Sequence, residues 1–144
     1  MIREARAQWE GDLRGGKGTM AFGSGAFEGQ YSFRSRFEDG TGTNPEELIG
    51  AAHAGCFSMA FSNMLAQAGH APTSVRTTAR VHLEPVDGRQ TIHLIELVCE
   101  AVVPGIEEGR FQEIAAEAKA GCPVSRALAA VEISLDASLV VGEG

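Results

Sequence analysis

Four residues hold the reactive possibilities of this sequence: His53, Cys56, Cys99 and Cys122. A cysteine is a nucleophile or a metal ligand only as its thiolate, so position decides which of the three thiols can act. Cys99 stands in the alternating row Ile95, Leu97, Cys99, Ala101 and Val103, which gives it the surroundings of a small core hydrophobe. Cys56 is flanked by Gly55 and Phe57 in a long uncharged stretch, and on its own it reads as a core residue. Cys122 lies between Gly121 and Pro123. Proline suits the first position of a helix, so Cys122 falls at the N-cap, where free N–H groups and the helix dipole favour a thiolate. Two chemistries fit these residue types. His53 and Cys56 are three apart on one helical face and Cys122 could join them as zinc ligands, but no fourth ligand presents itself. His53 could also act as base to a Cys56 nucleophile, although a pair at i, i+3 on one buried helix is an unusual arrangement for that work. A packed helix residue is the simpler reading of His53, and no metal or cofactor is called for. His70, His82 and His93 read as surface positions.

The elements that must position these residues follow from periodicity. Ala5, Ala7 and Trp9 alternate with polar neighbours as a half-buried strand, followed by the glycine-rich turn Leu13–Gly18 and a short strand over 18–22. Tyr31, Phe33, Ser35 and Phe37 alternate with Ser32, Arg34 and Arg36, which predicts a third strand with both arginines opposite the aromatic row. Asn44 as N-cap, Pro45 as first helical residue and Glu47 three residues on mark the start of a helix over about 45–68, with Gly69 as its stop. This helix is apolar almost all round and predicts a buried central element. A strand from Val75, the Asp87-Gly88 hairpin turn and a return strand over about 89–103 follow. Phe111, Ile114, Ala115 and Ala118 give the stripe of an amphipathic helix, a short helical turn follows Pro123, and Val131 to Leu139 alternate as a last strand. The order βββ-α-ββ-α-β is α+β with mainly antiparallel pairing, in a single domain over 1–144.

Composition removes several function classes. Twelve Lys and Arg against nineteen Asp and Glu give a net charge of −7, against a nucleic-acid-binding face. Three cysteines are too few and too odd in number for a disulfide scaffold. Eighteen glycines exceed the usual ~7% and predict many tight turns. The charged N-terminus MIREARAQWEGD has no apolar core of a signal peptide, so a reducing cytoplasm is expected. Leu48 to Val75 has no charged residue, but His53, Asn63, Gln67, His70 and Pro72 interrupt it, which favours a helix inside a soluble domain over a membrane span.

Two longer motifs carry a resemblance. The run from Gly42 through Asn44-Pro45-Glu46-Glu47 and His53-Ala54-Gly55-Cys56 to Ala60 is similar to the signature of the osmotically inducible protein C and organic hydroperoxide resistance family. Ala118-Lys119-Ala120-Gly121-Cys122-Pro123-Val124-Ser125 resembles the second cysteine motif of that family, and both motifs lie closer to its osmotically inducible branch. The element order and length match over essentially the whole chain.

The resemblance implies an α+β fold of that family in an intertwined homodimer, and a thiol peroxidase of oxidative and osmotic stress. The enzyme would reduce organic hydroperoxides, and hydrogen peroxide less well. Cys56 would be the peroxidatic residue and Cys122 the resolving one, with an external dithiol of the dihydrolipoyl type restoring both. The family also implies an arginine braced by a glutamate, and by position Arg36 and Glu46 match them best. Arg14 in the first hairpin loop is the other candidate for the arginine, and Arg34 a weaker one. Glu46 is ten residues before Cys56, a rise of about 15 Å on a straight helix. Either the helix bends or starts late, or Glu46 is donated by a partner subunit, which the family's dimers favour. Phe37, Phe57 and Met59 could face an apolar substrate or belong to the core. The alternative function is a redox sensor that uses the same cysteine pair stoichiometrically.

Overall fold

The computed structural model describes residues 1–142. The chain forms two compact units, one covering Met1–Leu48 and one from Ile49 onward.

The first unit holds an antiparallel sheet in the order β1 (Ala5–Glu10), β2 (Lys17–Phe22), β3 (Glu28–Tyr31). Gly18 pairs with Trp9 on one side and Tyr31 on the other, and those two rings meet across it at 5.3 Å. A Cβ at Gly18 would lie 2.5 Å from Tyr31 and 2.7 Å from Trp9, so only glycine fits under the two tilted rings.

The alternation expected to continue as strand through Phe37 does not do so. Residues Phe33–Phe37 form a short helix, α1. Ser32 caps it by accepting from the Ser35 N–H, while the Ser35 hydroxyl accepts from the Ser32 N–H, a reciprocal capping box. Phe33 and Phe37 are then one turn apart and pack at 5.0 Å. Arg36 lies against Phe37, its guanidinium 5.2 Å from the ring, instead of on the opposite face.

Helix α2 (Pro45–Gln67) starts in the first unit and supplies the core helix of the second. Asn44 Oδ1 accepts from the Glu47 N–H at 2.7 Å, and Gly69 takes a positive φ just past the helix end, as the caps predict. Strands β4 (Ser74–Val86) and β5 (Arg89–Val102) form a hairpin whose turn residues Asp87 and Gly88 both have positive φ. Helix α3 (Glu108–Gly121) and the five-residue α4 (Pro123–Ala127) cross over to β6 (Glu132–Leu139), which joins β5 in parallel, so the sheet order is β4-β5-β6.

The core of this unit lies between the sheet and the helices. Phe57, Phe61 and Leu65 come from α2, Ile95, Leu97, Cys99 and Ala101 from β5, and Phe111, Ile114 and Ala118 from α3. Phe61 contacts both Phe57 and Phe111 ring to ring, at 5.5 and 5.3 Å. Gly50 lets α2 approach β4, since a Cβ there would meet Val81 at 3.3 Å. One face of α2 is therefore core, with His53, Phe57, Phe61 and Leu65 spaced four apart. The other face carries Ala52, Gly55 and Met59 at the surface, with Met59 76% exposed. By length and composition α2 could cross a membrane, but its inner row is the core of a sheet-and-helix layer.

Candidate active site

The second unit brings the two cysteines of the motifs together across 66 residues of chain, with sulfurs 2.8 Å apart. Both are free thiols, as is Cys99 in the core. Cys122 is fully buried and Cys56 is half-buried, so only Cys56 can meet an incoming molecule.

Local sequence explains the position of Cys122. It ends α3 and begins α4, with φ −56° and ψ 128°. The residue before proline is pushed out of the helical region, so Pro123 forces the break that turns the chain at the sulfur. Pro123 has no N–H, which leaves Val124 and Ser125 as the first donors of α4.

Those donors set the acidities. Burial pushes the Cys122 thiol up, but hydrogen bonds from Cys56, from the N–H and hydroxyl of Ser125 and from the Val124 N–H outweigh it and hold Cys122 below its ordinary value. Cys56 moves the other way. Burial raises it first, its bond with Cys122 raises it further, and the Val124 N–H only partly offsets them. The more accessible sulfur is therefore the less acidic one.

His53 is fully buried, and its Nε2 lies 2.7 Å from Ser125 Oγ. Burial pushes its pKa down, so the ring is neutral. Ser125 has one hydroxyl proton. To give it to Cys122, Ser125 must accept from a protonated Nε2, which leaves the buried Nδ1 as a bare acceptor without a partner among the described residues. His53 thus partners Ser125 and makes no hydrogen bond to Cys56 among the described residues. Among the described residues His53, Cys56 and Cys122 do not converge as a metal-ligand set. Ser125, quoted in the second motif but given no role from sequence, is the buried polar neighbour of the sulfur pair that the sequence alone did not single out. Its signal was its place at the third position of the helix that Pro123 opens.

In the first unit Arg36 and Glu46 meet. Arg36 Nε donates to Glu46 Oε1 at 2.8 Å; Glu46 is buried and its Oε2 has no partner among the described residues. The other two arginines are engaged elsewhere: Arg14 lies over the Phe33 ring at 4.5 Å, and the exposed Arg34 faces Glu38 at 3.6 Å. Beside Arg36 is a hollow of about 240 Å³ lined by Trp9, Tyr31, Phe33 and Phe37. Of the apolar residues singled out from sequence, Phe37 lines this hollow, Phe57 is core and Met59 is on the outer face of α2.

Residues 38–136 match the family model described as OsmC-like protein, a span that contains Glu46, Cys56 and Cys122 and begins after Arg36. The chain is 54% identical over 138 residues to Peroxiredoxin OsmC of Escherichia coli (strain K12), covering 95% of this chain and 96% of that protein. The Peroxiredoxin OsmC of Shigella flexneri matches to the same extent. Among solved structures, an organic hydroperoxide resistance protein OsmC from Legionella pneumophila superposes with a TM-score of 0.74 at 22% identity, over 96% of this chain and 99% of that one. The organic hydroperoxide resistance protein OhrB of Bacillus subtilis gives 0.70 at 22% identity, over 94% and 98%. At these identities the two structures speak for the fold.

Proposed function

Because the chain belongs to the OsmC-like family and is a cysteine-based peroxidase, we propose that it reduces organic hydroperoxides at Cys56 and resolves the product with Cys122. The observation that carries this reading is the 2.8 Å sulfur pair with one half-buried and one fully buried member.

The steps balance as follows. The Cys56 thiolate attacks the terminal oxygen of ROOH, the O–O bond breaks, and the alkoxide leaves as ROH after taking a proton. Cys56 is oxidised to a sulfenic acid. The acidic Cys122 thiolate then attacks the Cys56 sulfur and expels hydroxide, which leaves as water. The sulfurs have only about 0.8 Å to close to reach a disulfide bond length. An external dithiol exchanges with that disulfide, becomes oxidised itself and returns both thiols. The proposed donor is the dihydrolipoyl-type dithiol that the resemblance implies, in a reducing cytoplasm.

Cys56 needs a cation, since its own surroundings raise its pKa. The proposed source is Arg36 held by Glu46. Helix α2 starts at Pro45 and not later, which supports a Glu46 that serves a partner's site over one that serves its own chain. The proposal is therefore a homodimer in which the Arg36–Glu46 pair of one copy completes the Cys56 site of the other. The exposed Ala52, Gly55 and Met59 beside Cys56 on α2 offer small and pliable surface for such packing. The aromatic hollow next to Arg36 suits an alkyl or aryl hydroperoxide better than hydrogen peroxide.

The test is turnover with cumene hydroperoxide and with hydrogen peroxide, using dihydrolipoamide, thioredoxin and glutathione in turn. Cys56→Ser abolishes turnover, and Cys122→Ser stops after one equivalent or overoxidises. Cys99→Ser leaves turnover unchanged. Unimpaired turnover by Cys56→Ser refutes the assignment, and consumption of a single equivalent by the wild type with every dithiol replaces the enzyme by a stoichiometric sensor.

A further inference from the structure

The outer face of the β4–β5 hairpin gathers two histidines and two glutamates that the peroxidase chemistry does not use. His82 and Glu84 are two apart on β4 and share its solvent side. His93, read from the sequence as a surface position, is two residues before the core residue Ile95 on β5. The register breaks there: His82 pairs with Leu94 and Leu83 with Ile92, so His93 is the extra residue of a β-bulge. A bulge re-aims a side chain. Here His93 turns to Glu84, with Nε2 3.0 Å from Oε2, while the other oxygen of that carboxylate is 3.6 Å from His82 Nδ1.

One ligand atom from each of the three residues lies within 4.8 Å of the others. Nitrogen and oxygen ligands at zinc distances on tetrahedral corners are roughly 3.4 Å apart, and each histidine approaches one of the two Glu84 oxygens at close to that distance. The remaining nitrogen of His82 completes the pattern. Its Nε2 lies 2.7 Å from Glu96 Oε2, an oxygen that Arg80 also approaches at 3.4 Å. A carboxylate on the far nitrogen fixes the tautomer of a ligating imidazole and presents the near nitrogen to a metal. We propose that His82 Nδ1, Glu84 and His93 Nε2 bind a divalent ion of the zinc class, with Glu96 as the orienting residue for His82 and a fourth position open to solvent. Two imidazoles and one carboxylate are a donor set for borderline metals, and the ion replaces the protons that otherwise hold the histidines against the glutamates.

Zinc titration into reduced, chelator-treated protein, followed by calorimetry, tests this. The Cys56 and Cys122 sulfurs are zinc ligands too, so the titration runs on the Cys56→Ser/Cys122→Ser chain beside the wild type. The expected result is one zinc per chain in the double serine variant. In that background Glu84→Gln and His93→Ala each weaken binding at least tenfold, and Glu96→Gln weakens it about 10–100-fold. Cobalt(II) in the same site gives a spectrum without a thiolate charge-transfer band. Glu84 is exposed, so Glu84→Gln reads the site without disturbing the bulge, and in the otherwise unaltered chain it leaves peroxidase turnover unchanged. Absence of zinc binding in the double serine variant overturns the proposal. So does unchanged affinity in both Glu84→Gln and His93→Ala.

Discussion

Replacing Ser125 by alanine isolates what the buried relay does for the resolving sulfur. The hydroxyl is one of the donors that hold Cys122 below its ordinary pKa, and among the described residues it is the one hydrogen-bond partner of His53 Nε2. A hydrogen bond to a charged group contributes about 1.5–3 kcal/mol. Its loss destabilises the Cys122 thiolate relative to the thiol, so the pKa moves up. A less acidic thiolate is a better nucleophile, with a Brønsted slope of about 0.4–0.5, which returns about half of the loss. Where the thiol form predominates, disulfide formation slows about 4–20-fold, and its pH profile moves upward. Rapid mixing with one equivalent of hydroperoxide, quenched and read for sulfenic acid against disulfide, gives both steps separately. Oxidation of Cys56 is not slowed, because the competing sulfur has become the weaker acid. The reasoning fails if resolution keeps its rate and pH profile, or if oxidation and resolution slow together.

In Glu46→Gln the Arg36 side chain loses its 2.8 Å ionic anchor, so oxidation of Cys56 slows about tenfold or more while resolution by Cys122 keeps its rate; stopped-flow oxidation against hydroperoxide concentration reads the first, and equal slowing of both refutes the pairing. His82 has its pKa raised, first by its bond to Glu96, in the metal-free protein. A raised folded-state pKa gives stability that is fully present below the unfolded value near 6.5 and is lost as pH rises through the folded value. Denaturant midpoints should therefore show His82→Gln costing more at pH 5.5 than at pH 8.5, with chelator present throughout, and a constant difference contradicts the pairing.

Where sequence and structure agree, the signals are local. Asn44-Pro45 opens α2, Asp87-Gly88 closes the hairpin, and Cys122-Pro123 breaks the α3–α4 segment, each because a cap, a positive φ or a missing N–H acts within a few residues. Phe33–Phe37 reads as strand because aromatic positions at 33 and 37 satisfy both a period of two and a helical i, i+4 step. The Ser32/Ser35 capping box was the deciding mark, visible but outweighed by the longer alternation. The His93 bulge leaves no trace in alternation, since one extra residue is a property of the pairing between strands. Likewise His53 and Ser125 are 72 residues apart, and no spacing rule joins them. The half-exposed state of α2 was hidden for a different reason: Ala, Gly and Met are compatible with core and surface alike.

The two sulfurs divide access from acidity, and that division bears on where the activating charge must originate. Cys122 is the more acidic thiol but is fully buried, so a hydroperoxide cannot reach it. Cys56 is reachable, but burial and its bond to Cys122 both favour the neutral thiol, and the Val124 N–H only partly opposes them. The hydrogen bonds within the second unit thus build a good resolving thiolate and a poor attacking one. That order is useful at rest, since a permanently ionised, exposed Cys56 would be open to overoxidation. It also means that the charge which ionises Cys56 must come from outside those bonds. Arg36, fixed through Nε on a buried Glu46, is an arginine already held in place whose other guanidinium nitrogens make no hydrogen bond among the described residues. If a second copy delivers it, peroxide reduction should fall with dimer dissociation at low protein concentration, while the stoichiometric Cys56–Cys122 disulfide, once formed, should remain.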